Sequence, residues 1–164
     1  DWGSHFIDQI LAIIPGKIDS VTGINQKRLW THVTNADHAD VSITFEGGVR
    51  ATFTNSDLAA ARKPKFYVLG TTGAIIGNWD PAAGSAPADL PAILTIHRAD
   101  GTSEVITNTA PTPYSFHKGV VEYLKHQTPM SVTTAQSRDV VAIMQAAEES
   151  AQSNGRSVTP SLLR

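Results

Sequence analysis

The sequence predicts an α+β fold: an open, mainly antiparallel β-sheet with helices packed on one face. Three observations lead there. An apolar helical stripe opens the chain, two hairpin patterns fill its middle, and two further helical patterns close it. Strands joined by tight turns pair antiparallel, and helices gathered at the ends of the chain cover one face of such a sheet. The other face is then wet or buried by a partner.

In the first segment Ile7, Ile10, Leu11 and Ile14 recur at helical spacing, and Pro15-Gly16 ends the helix. Asp1, His5, Asp8 and Ala12 fall on a different face. Residues 17–30 carry β-type material that ends in Leu29 and Trp30. Val41, Ile43 and Phe45 alternate with polar residues, Gly47-Gly48 supplies a tight turn, and Val49, Ala51 and Phe53 alternate again. That is a half-buried antiparallel hairpin. Beyond a loop through Arg62-Lys63-Pro64, Phe66 to Leu69 reads as a buried strand running into Gly70-Thr71-Thr72-Gly73 and Ala74-Ile75-Ile76. Residues 78–91 are rich in Pro, Ala and Gly and read as a long surface loop. Leu94 and Ile96, a turn at Asp100-Gly101, and Val105-Ile106 make a second hairpin.

Two helices follow. Ser115 is a candidate N-cap for a helix with Phe116, Val120, Tyr123 and Leu124 at helical spacing, broken by Thr128-Pro129. Thr133 or Thr134 caps the last helix, where Val140, Ile143, Met144, Ala147 and Ala151 line one face and Asn154-Gly155 ends it. No repeat and no internal boundary is visible, so residues 1–164 read as one domain.

Composition excludes several classes of function. A net charge of −2 offers no electrostatic case for nucleic acid or an anionic membrane. No stretch approaches the ~20 apolar residues that span a bilayer. Cysteine is absent, which removes disulfides, thiol catalysis and Cys-based metal sites and fits a reducing, cytoplasmic setting. The first residue is Asp1 rather than Met, which points to an upstream segment.

The richest chemistry lies in Asp1-Trp2-Gly3-Ser4-His5-Phe6-Ile7-Asp8. One helical turn sets the Asp1 carboxylate beside the His5 imidazole, a pair suited to proton transfer near neutral pH. The same spacing also describes an ordinary surface pair in a first helical turn. A metal would need a third ligand, from Asp8 or a distant histidine, and none is identifiable, since His32, His38, His97, His117 and His126 are scattered. Gly70 to Gly73 lacks the further glycine or Lys-Ser/Thr of a nucleotide loop and reads as a strand-to-strand turn. Arg62, Lys63 and Lys65 form a basic run, either a solvated loop or, through Arg62, a contact for a polar or anionic substrate group.

The Asp1-x-Gly3-x-His5-x-x-Asp8 pattern resembles a signature of the Gfo/Idh/MocA family, the glucose–fructose oxidoreductase and inositol dehydrogenase relatives. The resemblance continues through Phe45-Glu46-Gly47-Gly48, Val68-Leu69-Gly70-Thr71-Thr72-Gly73-Ala74 and the segment from Pro129 to Val158. It implies a C-terminal substrate-binding and oligomerisation domain, preceded in the full-length protein by a Rossmann domain that binds NAD or NADP and carries a catalytic lysine. Neither G-x-G-x-x-G nor Glu-Lys-Pro occurs here, so no cofactor-binding residue is assigned on this chain.

By similarity, His5 is the base that takes the substrate's hydroxyl proton, and Asp1 orients His5 and binds hydroxyls. Asp8 and Gly3 are structural, Gly3 as a site of close approach. The implied substrate is a sugar, polyol or related hydroxy compound, and the open sheet face implies a homo-oligomer. The 164 residues alone are expected to be inactive. The rival expectation is a non-catalytic scaffold or ligand-binding module that keeps the same fold.

Overall fold

A computed structural model of the chain describes residues 2–83, 91–106 and 112–163. The chain divides into two compact units, residues 1–58 with 116–164, and residues 59–115. Nothing in the sequence marks the division. All strand pairings are antiparallel, and the fold is α+β. Among the described residues the strands form two sheets, of three and four strands, rather than one.

In the first unit, helix α1 (Gly3–Ile13) precedes strands β1 (Ile18–Gln26), β2 (His38–Phe45) and β3 (Arg50–Ser56), which pair in that order. Helix α3 (Thr134–Gln152) packs on β1, and α1 packs on α3 and β3. The alternation read from sequence places Val41, Ile43 and Phe45 inward, where they bury with Val21 of β1 against Ile7 of α1 and Ile143 of α3. Ile10, Leu11 and Ile14 complete the α1 stripe at the edge of this core. The opposite face of the sheet carries Ser42, Thr44, Thr52 and Thr54, with His38 Nε2 3.0 Å from Asp40 Oδ2.

Local chemistry accounts for the ends of these elements. Gly47 and Gly48 both take positive φ, 85° and 87°, as the hairpin turn requires. Thr133 caps α3 in a capping box: its hydroxyl accepts the Gln136 N–H at 3.2 Å, and its own N–H donates to Gln136 Oε1 at 2.7 Å. The tail after α3 returns to the sheet, where Val158 exchanges two backbone hydrogen bonds with Val21 at 2.8 and 2.9 Å.

The second unit holds β4 (Phe66–Gly70), β5 (Gly73–Asn78), β6 (Ile93–Arg98) and β7 (Ser103–Ile106), a four-stranded meander, with a 3-10 turn at Pro81–Ala83. Half of the expected long loop, at 84–90, lies outside the described residues. Gly70 to Gly73 is a turn between antiparallel strands, as expected. The strand from Phe66 to Leu69 is not buried as expected: Tyr67 and Leu69 are 62% and 70% exposed. It is the edge strand of a sheet on which no helix of this unit packs among the described residues.

Two further expectations are corrected. β1 stops at Gln26, so Leu29 and Trp30 belong to a loop whose N–H groups bond elsewhere. Helix α2 (Ser115–His126) has the expected spacing but no buried residue. No helix among the described residues is long and apolar enough to cross a membrane.

The seam between α3 and β1 depends on Gly23. A β-carbon there would overlap the Ala147 carbonyl, and the Gly23 N–H donates to Ser150 Oγ at 2.9 Å. The close approach expected at Gly3 is not found: a β-carbon there would meet the Phe53 ring at an ordinary 3.9 Å. Gly23→Ala is therefore expected to lower unfolding free energy by about 3 kcal/mol, at the upper end of overpacking costs. Gly3→Ala is expected to be neutral or to stabilise by up to ~1 kcal/mol as a better helix former. Chemical denaturation of the two variants beside the parent checks both.

Candidate functional site

The first turn of α1 separates two chemical environments. His5 is exposed, and its ring lies 5.7 Å from the Trp2 indole, tilted by 51°. Asp8, one turn on, is also exposed. Asp1 lies outside the described residues, so the geometry of the Asp1–His5 pair is not described. No three His, Asp or Glu side chains converge as metal ligands would among the described residues.

On its other side, the α1 turn walls a cavity of about 510 Å³ within the first unit. That volume suits a small organic molecule. Trp2, Gly3 and Ile7 form one wall, and Met144, Ala147 and Glu148 of α3 form another. The sheet supplies the floor with Val41 and Phe53, paired across β2 and β3, and the next cross-strand row, Asn25–Ala39–Asn55. Trp30, Asn35 and Ala36 of the β1–β2 loop, together with Asp57, complete the rim. Glu148 is held by two amides: Asn25 Nδ2 donates to one carboxylate oxygen at 2.5 Å, and Gln152 Nε2 donates to the other at 3.0 Å.

The loop owes its shape to a buried carboxylate. Asp37 is only 1% exposed, and it accepts the N–H groups of Arg28 at 2.8 Å, Leu29 at 2.6 Å and Trp30 at 2.9 Å. Its own N–H donates to the Gln26 carbonyl at 3.1 Å, and its carbonyl accepts the Asp57 N–H at 3.0 Å. One residue thus fixes the backbone behind Trp30 and Asp57, on two sides of the cavity. Burial pushes the Asp37 carboxyl upward, but the N–H groups of Trp30, Leu29 and Arg28 together outweigh that and hold it below the ordinary carboxylate value.

Arg62 lies in the second unit. Its guanidinium sits 5.5 Å from the centre of the Trp79 ring, with Lys65 Nζ at 5.1 Å, while Trp79 Nε1–H donates to the Lys63 carbonyl at 2.8 Å. The basic run is therefore an exposed loop in which Arg62 and Lys65 lie over the Trp79 ring.

Sequence reasoning missed the cavity and Asp37. One signal was available. The inward alternation Val21, Gly23 and Ala51, Phe53 runs on into Asn25 and Asn55, which puts polar side chains at positions that the period assigns to the core side.

Comparison with known proteins finds a family model that matches part of the chain. Residues 1–76 match the GFO/IDH/MocA C-terminal domain. Among solved structures, an NAD-binding protein from Listeria innocua superposes with a TM-score of 0.73 at 23% identity, over 98% of this chain and 46% of its own. A proposed oxidoreductase from Klebsiella pneumoniae gives 0.80 at 22%, over 99% and 48%. A proposed NADPH-dependent oxidoreductase from Desulfitobacterium hafniense gives 0.78 at 18%, over 95% and 46%. The chain spans about half the length of these structures, and the likeness is one of fold. None of the curated proteins matches.

The Asp37 geometry sets a pH dependence. Its carboxyl is depressed in the folded state, so its contribution to stability is fully present above the unfolded value of ~3.9 and is lost as pH falls through the lower, folded value. The stability difference between the parent and Asp37→Asn is expected to be flat from neutral pH to about 5 and to shrink below about 4. Thermal unfolding of both proteins across that range measures it.

Proposed function

We propose, from the premise that this chain carries a GFO/IDH/MocA C-terminal domain, that it is the substrate-binding half of an NAD(P)-dependent oxidoreductase. The substrate class is a sugar, polyol or related hydroxy compound. The single observation that carries this reading is the first turn of α1, which holds the Gly3-x-His5-x-x-Asp8 part of the motif and presents His5 to solvent.

The chain's residues do not themselves fit a dinucleotide. A nucleotide phosphate site needs a glycine-rich turn from a strand into a helix N-terminus. The glycine turn here joins β4 to β5, and a β-carbon at Gly73 would overlap the His97 carbonyl. We place NAD(P) on a separate Rossmann domain of the full-length protein, where the cofactor supplies the redox chemistry. The part of this chain is to bind and orient the alcohol, with the His5 imidazole accepting the hydroxyl proton and Asp1 orienting that ring. An imidazole suits the task because its ordinary pKa of ~6.5 lies near working pH. Arg62, over the Trp79 ring, is the further candidate for substrate contact.

We also propose that copies of the protein pair through the second unit's sheet, in the cytoplasm. Tyr67, Leu69 and Val105 lie 62%, 70% and 63% exposed there, an apolar set that supports a protein partner. Leu69→Glu is expected to shift the full-length protein toward monomer in sedimentation velocity, and an unchanged oligomer would sink this part of the reading.

His5→Ala in the full-length protein is expected to lower kcat by about 10²–10⁴-fold while leaving NAD(P) affinity nearly intact. Steady-state kinetics beside a direct cofactor titration separates the two. Unchanged turnover would favour the rival, a binding module on the same fold.

A further inference from the structure

We infer that Trp2 is the positioning residue of His5: its indole holds the imidazole in one orientation at the start of α1 and steadies the cation formed when that ring takes a proton. The part played in turnover rests on the reading of His5 as the base, while the ordering of the ring can be measured without turnover.

The two rings lie 5.7 Å apart, tilted by 51°. Trp2 is 49% exposed, so about half of it is covered. His5 is exposed, and among the described residues its ring makes no hydrogen bond and meets no other ring. An exposed histidine with nothing against it hops among staggered rotamers within nanoseconds. An indole is large, rigid and set by only two side-chain torsions, so it can restrict a neighbouring ring with little loss of freedom of its own.

The backbone makes the contact a built one. Trp2 takes helical angles, φ −67° and ψ −23°, and its carbonyl accepts the N–H groups of His5 at 3.1 Å and Phe6 at 3.2 Å. Residues three apart share a helix face, and helical side chains lean toward the N-terminus, so His5 leans back onto Trp2. The same turn is anchored to the sheet. The Phe6 ring lies 5.5 Å from that of Phe53 on β3, tilted by 37°, and Ile7 is buried in the core. The scaffold thus fixes the turn, the turn fixes Trp2, and the indole stands against the imidazole.

The contact has a second chemical use. On accepting a hydroxyl proton the imidazole becomes a cation, and among aromatic rings an indole attracts a cation within ~6 Å of its centre most strongly. That attraction grows only as the proton moves, so it favours the reacting step over the binding of substrate.

The test is NMR of the 164-residue chain, with Trp2→Leu and Trp2→Phe beside the parent. The parent is expected to show cross-relaxation between indole and His5 ring protons, and His5 Hα–Hβ couplings of a single staggered rotamer. Trp2→Leu is expected to return those couplings to the averaged values of a free side chain, with the remaining amide spectrum in place. Trp2→Phe keeps a ring and is expected to restore most of the single-rotamer pattern. In the full-length protein, assayed on myo-inositol with NAD, Trp2→Leu is expected to lower kcat by about 10–100-fold with KM nearly unchanged, and Trp2→Phe to recover most of the loss.

A His5 ring that samples its rotamers as freely in the parent as in Trp2→Leu would overturn the inference, whatever the turnover. So would a loss on Trp2→Leu that falls on KM alone. If the ring is ordered as stated but His5→Ala leaves turnover intact, the catalytic reading falls and Trp2 is left as a packing contact. If His5→Ala abolishes turnover while Trp2→Leu changes neither ring order nor kcat, only the present inference falls.

Discussion

Much of the first unit depends on how closely α3 lies on β1. Gly23 has no side chain to keep the helix away, so the Ala147 backbone settles against the strand and Ser150 takes the strand's N–H. That depth brings Ile143 into the same core as Val21 and Ile43 and leaves α1 the space beside α3 that it fills with Ile7. It also decides where Met144, Ala147 and Glu148 stand, and these residues wall the cavity. With a larger residue at position 23, the helix would ride higher and each of these contacts would change together.

The cavity results from how the layers end. Near Val21 and Ile43 the space between sheet and helices is filled with apolar side chains. Toward Asn25 and Asn55 the inward-facing residues turn polar, and a wall passes to the β1–β2 loop. The buried polar group there is Asp37, which takes three backbone N–H groups, while Asn25 pairs with Glu148 at the exposed edge.

How much of this was legible follows from the range of each signal. Periodicity located α1, the β2–β3 hairpin and the last helix with its cap, because each is decided within a dozen residues by side-chain spacing and turn chemistry. It also read β4 and α2 as elements, but it did not show that Tyr67, Leu69, Phe116 and Leu124 stay exposed, since burial requires a second surface that no local pattern describes. β1 was read too long because Leu29 and Trp30 look like strand residues, while a carboxylate seven or eight positions later takes their N–H groups. The α1 motif was legible as a string, and the resemblance it carries matches the family found for residues 1–76. The cavity was not legible, because Asn25, Asn55 and Glu148 are joined only by the tertiary fold.

The clasp at Asp37 holds amide N–H groups and ignores the side chains attached to them. Arg28 and Leu29 are exposed, and Asp37 touches only their backbone. Residues 28–30 are thus open to almost any substitution other than proline, which has no N–H to give. The stretch behaves as a cassette: its path is set from behind by one buried anion, and its outward letters can be rewritten. A lineage could rewrite the side chains at 28–30 without redesigning the scaffold, so sequence would be expected to drift faster here than architecture.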